Sequence, residues 1–306
     1  MKSQNNLCVV QFIHPGKEHK MSKEEEKCGI KNWIPKNKRH ERNFLKIKGK
    51  YINNPDDEEI KEDEIVFWGE WEAEAKKVTK ISQSEQNFPE YIYHPLYIQK
   101  TNKDYSRLQD TDPFVFGNMF LYSICQQYRK DKKTNRYKPT LLRNLEKGSL
   151  ILFGSCVNKK FVIDTVFVVK DYVDHNKDNY VEKIKEKLPE EVWEVYKEVT
   201  LSPIYQFKKT KDREYRLYIG ATFKDKYEGM FSFFPCKPFK ECAEGFKRPE
   251  IKINDIINPK LSQGFKKSCK NDLEKIKKIW DEVVKQVLKN GLKLGISAEL
   301  PEKLKS

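Results

Sequence analysis

Residues 64–75 read EIVFWGEWEAEA, which sets Glu70 and Glu72 beside Trp68 and Trp71. Strand side chains alternate between faces. Ile65, Phe67, Gly69 and Trp71 therefore share one face, and Val66, Trp68, Glu70 and Glu72 the other. An indole can stack on a nucleobase, while a neighbouring carboxylate accepts from an exocyclic amine or removes a proton. The same face also suits an edge strand guarded by charge. Gly69 in mid-strand marks a bulge or a close backbone approach.

Asp164 interrupts FVIDTVFVV, a stretch that is apolar on both faces. A lone carboxylate there is costly, so it requires a Lys or Arg, backbone amides, a ligand or a proton. Alternation sets it with Val162, Val166 and Val168, opposite Ile163, Thr165 and Phe167. Asp110 and Asp112 in QDTDPF are spaced like metal-binding or acid–base carboxylates. Asp112 before Pro113 also reads as a helix N-cap, and Asp110 as an Asx-turn residue. His14 follows a first strand and precedes Pro-Gly, which makes it a candidate site residue at a sheet edge. The spacing of Cys8, His14, His19 and Cys28 matches no zinc pattern, and neither a metal nor a cofactor is expected. G-x-S-x-G, H-E-x-x-H, Walker and paired C-x-x-C sequences are absent, which argues against serine-hydrolase, zincin and P-loop chemistry.

The chain of 306 residues carries a net charge of +14, which permits a polyanionic partner. Arginine supplies only nine of the 60 basic side chains, although its rigid fork is what specific phosphate and base recognition favours. Two of the nine fall in KNWIPKNKRHERNFLKIKGKY, where Arg39, Arg42 and Lys46 are candidate phosphate contacts interleaved with Trp33 and Tyr51. A solvated basic loop has the same composition. No apolar run approaches the ~18 residues of a membrane span. Seven scattered cysteines suit a reducing, cytoplasmic setting better than a disulfide framework.

These residues need elements to hold them. LCVVQFI (7–13) and 64–72 read as strands, and GSLILFGS and FVIDTVFVV as a hairpin joined through CVNKK. YRLYIGATF and GMFSFFP supply two further strands. Residues 82–112 are Tyr- and Pro-rich with little period, the mark of an insertion. DTDPFVFGNMFLYSICQQYRK reads as a helix from its Asp-Pro start and basic end. A helical segment at 179–199 is broken by Pro189, and 272–290 carries the clearest helical stripe, with Asn271 and Glu274 as a capping box and Gly291 as the stop. The class is α+β: a mostly antiparallel, barrel-like or curved sheet with flanking helices and a long C-terminal helix. EIVFWGE and SLILFGS echo one another, either by chance or as two copies of a barrel strand.

The segment EKGSLILFGSCVNKKFVIDTVFVVKDY resembles the core hairpin of PUA-like domains, the group that includes the ASCH and EVE families, with DEIVFWGEWE as a further barrel strand. The resemblance covers about residues 1–175 and implies a domain there; residues 176–306 read separately as an α+β region ending in the 272–290 helix. The resemblance also implies RNA or modified-base recognition, with Trp68 and Phe153 stacking on a base and Glu70 or Asp164 reading its edge. The leading expectation is thus an intracellular protein that recognises DNA, RNA or a nucleotide, with no membrane role. The alternatives are an enzyme on such a substrate (nuclease, glycosylase or transferase) using Glu70, Glu72, Asp110 or Asp164, and a protein-interaction or defence-type effector.

Overall fold

Central strands such as CVVQFI and LILFGS are buried on both faces, so the sheet that holds them must be covered twice. The computed structural model describes residues 6–14, 18, 21–31, 42–81, 88–98, 111–205, 213–261, 263–269 and 272–304. In chain order the strands begin with β1 (Cys8–Ile13), β2 (Ile30–Lys31), β3 (Asn43–Ile52), β4 (Lys61–Gly69), β5 (Ala75–Lys80) and β6 (Tyr91–Tyr97). β7 (Leu121–Tyr122), β8 (Tyr128–Lys130), β9 (Tyr137–Pro139), β10 (Leu150–Val157) and β11 (Lys160–His175) form the middle. β12 (Tyr215–Gly220), β13 (Phe234–Pro238), β14 (Gly264–Cys269), β15 (Lys293–Ala298) and β16 (Glu302–Lys303) complete the set. The helices are short: α1 (Lys23–Cys28), α2 (Tyr180–Lys185), α3 (Glu190–Tyr196), α4 (Ser202–Tyr205) and α5 (Leu273–Lys289).

One sheet runs β14-β1-β10-β11-β12-β7. In the other, β3, β4, β13 and β15 pair in a closed ring, with β6, β5 and β2 extending outward from β3. The barrel-like sheet read from the sequence is therefore present. Alternate residues of the central strands divide between two cores. Val10, Phe12, Leu45, Ile65, Phe67, Ile151 and Phe153 join a core with α3 and α4, while Val9, Phe44, Val66, Trp68, Leu150 and Leu152 join one with α5. The expected division at residue 175 is crossed by hydrogen-bonded pairs, since β14 pairs with β1, β15 with β3 and β13 with β4.

The β10–β11 hairpin forms as read, with Asn158 and Lys159 at φ of 50° and 61°. Both central residues of a two-residue I′-type turn need positive φ, which matches the strand twist. Further along, strict alternation fails. Phe153 pairs with Thr165 but Gly154 with Ile163, so Asp164 is the extra residue of a β-bulge. Ile163 consequently shares a core with Val166 and Val168 rather than facing away from them. A Cβ on Gly154 would lie 2.1 Å from the carbonyl oxygen of Val162, so only glycine fits opposite the bulge. Gly69, by contrast, pairs in register with Asn43.

Three other expectations are corrected. The stretch from Asp112 is not helical: Phe114 and Leu121 bridge as antiparallel partners around Gly117 and Asn118, both at positive φ. Its apolar residues Phe114, Val115, Phe116, Phe120 and Leu121 are all buried, so the run has no polar face for a surface helix to present. α5 exists with its apolar stripe and its stop at Gly291, but it spans 17 residues and is followed by β15, so it is not a long C-terminal helix. Its cap is Asp272, whose carboxylate accepts the Lys275 amide at 2.7 Å; Asn271 lies outside the described residues. Cys8 and Cys269, 261 residues apart, face each other across the β1–β14 pair in a disulfide. Strand register, not sequence spacing, brings them together. Pro189 does break the 179–199 segment, between α2 and α3. Among the described residues no helix is long and apolar enough to cross a membrane.

Two predictions follow from this packing. Gly154→Ala should lower the unfolding free energy in urea by about 3 kcal/mol, because the added methyl must displace backbone; an unchanged midpoint would contradict the bulge geometry. His175, buried at the end of β11 with Nδ1 2.6 Å from the Tyr205 hydroxyl, is held by burial at a pKa of about 3. The unfolded imidazole takes up a proton near pH 6.5, so its contribution to stability is present at neutral pH and is lost as pH falls from about 6.5 toward 3. Between pH 7 and pH 4 the wild type should lose about 3 kcal/mol more stability than His175→Asn, measured by urea titration at both pH values.

Candidate functional site

The ends of several strands meet around one buried guanidinium. Arg42 immediately precedes β3, Glu70 immediately follows β4, and the bulge on β11 aims Asp164 at the same point. Arg42 Nη1 lies 2.7 Å from Glu70 Oε2, and Arg42 Nε lies 2.7 Å from Asp164 Oδ2. Arg248 approaches Asp164 Oδ1 at 3.5 Å and donates to Ser155 Oγ at 3.0 Å. Glu72, also buried, adds its field to Arg42. Bringing these charges out of water is tolerable only because they face one another.

Burial alone would depress the Arg42 pKa, but Glu70 and Asp164 outweigh it and hold the guanidinium above its ordinary value. For Arg248 burial prevails, since Asp164 attracts it while Arg42 repels it, and its pKa falls. Arg42 Nη2 is buried with no hydrogen-bond partner among the described residues. Glu18 bridges to Arg42 along the backbone, and its carboxylate accepts the Glu90 and Tyr91 amides at 2.6 and 3.1 Å. Burial raises Glu18 to about 7 against the pull of those two amides.

His14 extends the chain of contacts. Its Nδ1 lies 2.5 Å from Glu70 Oε2 and its Nε2 3.0 Å from Cys125 Sγ. The backbone at Cys125 is fixed by Asp112, whose carboxylate accepts the amides of Ser123, Ile124 and Cys125 at 3.0, 2.6 and 3.0 Å. The Tyr122 hydroxyl donates to the Cys125 carbonyl at 2.7 Å. Asp112 thus caps a set of amides, as its residue type suggests, but they belong to a loop rather than to a helix.

Of the residues singled out in the sequence, His14, Arg42, Glu70, Glu72 and Asp164 come together. Glu70 and Glu72 do not guard a strand edge: both lie beyond the end of β4 and are buried. Arg42 is not a phosphate contact at the surface: it is 1 % exposed and engaged by two carboxylates. Trp68 does not present an open face. It is 3 % exposed, donates to the Phe246 carbonyl at 2.8 Å, and packs against Phe44 and the Arg248 guanidinium. Phe153 is fully buried among Phe12, Tyr122 and Phe167. Base stacking on either ring is therefore excluded by packing. Lys46 lies apart, paired with Glu64 at 2.8 Å and set over the Phe239 ring. Arg39 and Asp110 lie outside the described residues.

Cys125 and Arg248 are the residues that the sequence reading missed. Neither sits in a recognisable motif; the only signal was that Arg248 is one of nine arginines in a chain full of lysine. Among the described residues, no set of three His, Cys, Asp or Glu side chains is arranged to hold a metal ion. A hollow of about 280 Å³ lined by Gly49, Lys50, Glu62, Gly117 and Ser297 includes none of the ionic cluster. Comparison with protein-family models, curated proteins and solved structures returns no match.

Removing the shared cation should be severe. Arg42→Met is expected to cost about 3–5 kcal/mol in urea unfolding, because two buried carboxylates lose their common partner. Lys48→Met, which removes a surface pair with Glu62 and Glu299, serves as the control and should change the midpoint little. Equal losses in the two variants would show that the Arg42 cluster carries no special weight.

Proposed function

We propose that this chain is an enzyme acting on a nucleic acid or nucleotide, with the Cys125 thiol as reacting group, His14 as its base and Glu70 orienting the base. The observation that supports it is the continuous contact from Cys125 Sγ to His14 Nε2 (3.0 Å) and from His14 Nδ1 to Glu70 Oε2 (2.5 Å). Thiol, imidazole and carboxylate in that order are the parts of an activated nucleophile. As sulfur adds to an electrophilic carbon, its proton passes to His14 Nε2. Glu70 stabilises the imidazolium, which then returns the proton to the departing group. The substrate fragment remains bonded to sulfur until water or a second acceptor takes it, a sequence that suits a transferase. Arg42 acts as a positioning residue, because it fixes the same Glu70 oxygen that meets His14.

The substrate class is supported by the net charge of +14 and by the resemblance of the β10–β11 hairpin to PUA-like domains. Recognition of a nucleotide without turnover is the second reading. It is favoured by Arg42 Nη2, a buried donor without a hydrogen-bond partner among the described residues, which suits a ligand acceptor atom.

Site-resolved alkylation separates the two. With iodoacetamide at pH 7, Cys125 should react about tenfold faster than in the His14→Gln variant, while the exposed Cys28 reacts alike in both proteins. Equal Cys125 rates in the two proteins would remove the nucleophile reading and leave recognition.

A further inference from the structure

Arginine is scarce in this chain, yet five of its nine copies lie in or beside the β8–β9 hairpin. They are Arg129, Arg136, Arg143, Arg213 and Arg216. The hairpin reads YRKDKKTNRYKP, in which Arg129, Lys130, Lys132, Lys133, Arg136 and Lys138 are all exposed. Its acidic residue, Asp131, is spent on the turn. Its carboxylate accepts the Lys133 and Thr134 amides at 2.9 and 3.0 Å and pairs with Lys138 at 2.6 Å. The hairpin is thereby shaped before any partner arrives, and its remaining cations point to solvent.

Aromatic rings are interleaved with these charges. Arg213 lies over the Tyr137 ring at 3.5 Å and over Tyr128 at 5.8 Å. Arg216, held by Asp174 at 2.8 Å, lies over Tyr172 at 3.8 Å. Tyr137 and Tyr172 are 43 % and 38 % exposed, so each ring is backed by a guanidinium and still open to solvent. A protein partner would meet six like charges on one short hairpin, whereas the cores of protein interfaces are depleted of charge. A nucleic-acid strand offers phosphates to the cations and bases to the rings.

We infer that the β8–β9 hairpin, with Tyr172, Arg213 and Arg216, is a docking surface for single-stranded nucleic acid. Lys130, Lys132, Lys133 and Arg136 contact phosphates, and Tyr137 and Tyr172 stack on bases. The surface is tied to the body of the protein by Gln127, whose side chain donates to the Arg216 carbonyl at 2.7 Å and accepts the Arg216 amide at 2.9 Å. Tyr128 begins β8 only three residues beyond Cys125, so the docking surface and the thiol are neighbours in the chain. The docking itself does not depend on the thiol chemistry.

The test uses the full chain and a fluorescent single-stranded oligonucleotide of mixed sequence, titrated at several salt concentrations. Lys132→Gln, Lys133→Gln and Arg136→Gln combined should weaken binding at least tenfold and flatten the slope of log K against log salt by about 2, at about 0.7 per phosphate contact. Tyr137→Ala should weaken it about tenfold while leaving the slope unchanged. A triple variant on α5, Lys278→Gln, Lys285→Gln and Lys289→Gln, removes the same charge from another exposed face and should bind like wild type. Equal losses in the two triple variants, or tighter binding to duplex that ignores Tyr137, would overturn the inference. So would binding to anionic vesicles but not to the oligonucleotide. Since alkylation of Cys125 is read separately, a failure here leaves the thiol reading standing, and the reverse also holds.

Discussion

The arrangement depends on a single buried guanidinium. Arg42 holds two carboxylates from different parts of the chain, Glu70 after β4 and Asp164 in the bulge of β11, and both distances are 2.7 Å. The two acids and the guanidinium offset one another's loss of hydration. Because Glu70 also meets His14, the same cation fixes the imidazole that faces Cys125. The cluster thus works as a joint between the two sheets: Asp164 belongs to one and His14 adjoins it, while Arg42 and Glu70 adjoin the other.

Backbone irregularities are what deliver these groups. A regular β11 would turn Asp164 by strict alternation, but the inserted residue re-aims it, and the missing side chain of Gly154 leaves room for the turn. Asp112 performs a similar service at the other end of the relay. By taking three successive amides it fixes the loop from which Cys125 projects. These devices have no role in simply filling a core. They set the direction of particular side chains, which is where a fold built of ordinary strands acquires chemistry.

Charge is divided between two regimes in this molecule. Inside, cations and carboxylates are matched one against another and held rigid. Outside, the β8–β9 hairpin carries an excess of exposed cations, and beside it Arg213 and Arg216 lie over tyrosine rings. The first regime favours preorganised chemistry and the second favours long-range attraction of a polyanion. The two lie close in the chain, since Tyr128 opens β8 three residues beyond Cys125.

Much of the framework was legible from residue order. The β10–β11 hairpin, the stripe of α5, the break at Pro189 and the need of Asp164 for a partner all rest on local properties: turn chemistry, helical period, ring constraint and the cost of burying a charge. Other features were decided only by the tertiary structure. Strands that are covered on both faces show no alternation of polar and apolar residues, so the sequence could not say that Trp68 and Phe153 are sealed or that Glu70 and Glu72 are interior. The partners of Asp164 lie 122 residues before it and 84 after it in the chain, at Arg42 and Arg248. The Cys8–Cys269 link and the approach of Cys125 to His14 are likewise products of strand register and sheet closure. Local order determines which elements form, whereas the meeting of distant charges depends on how those elements pair, and no short-range pattern records it.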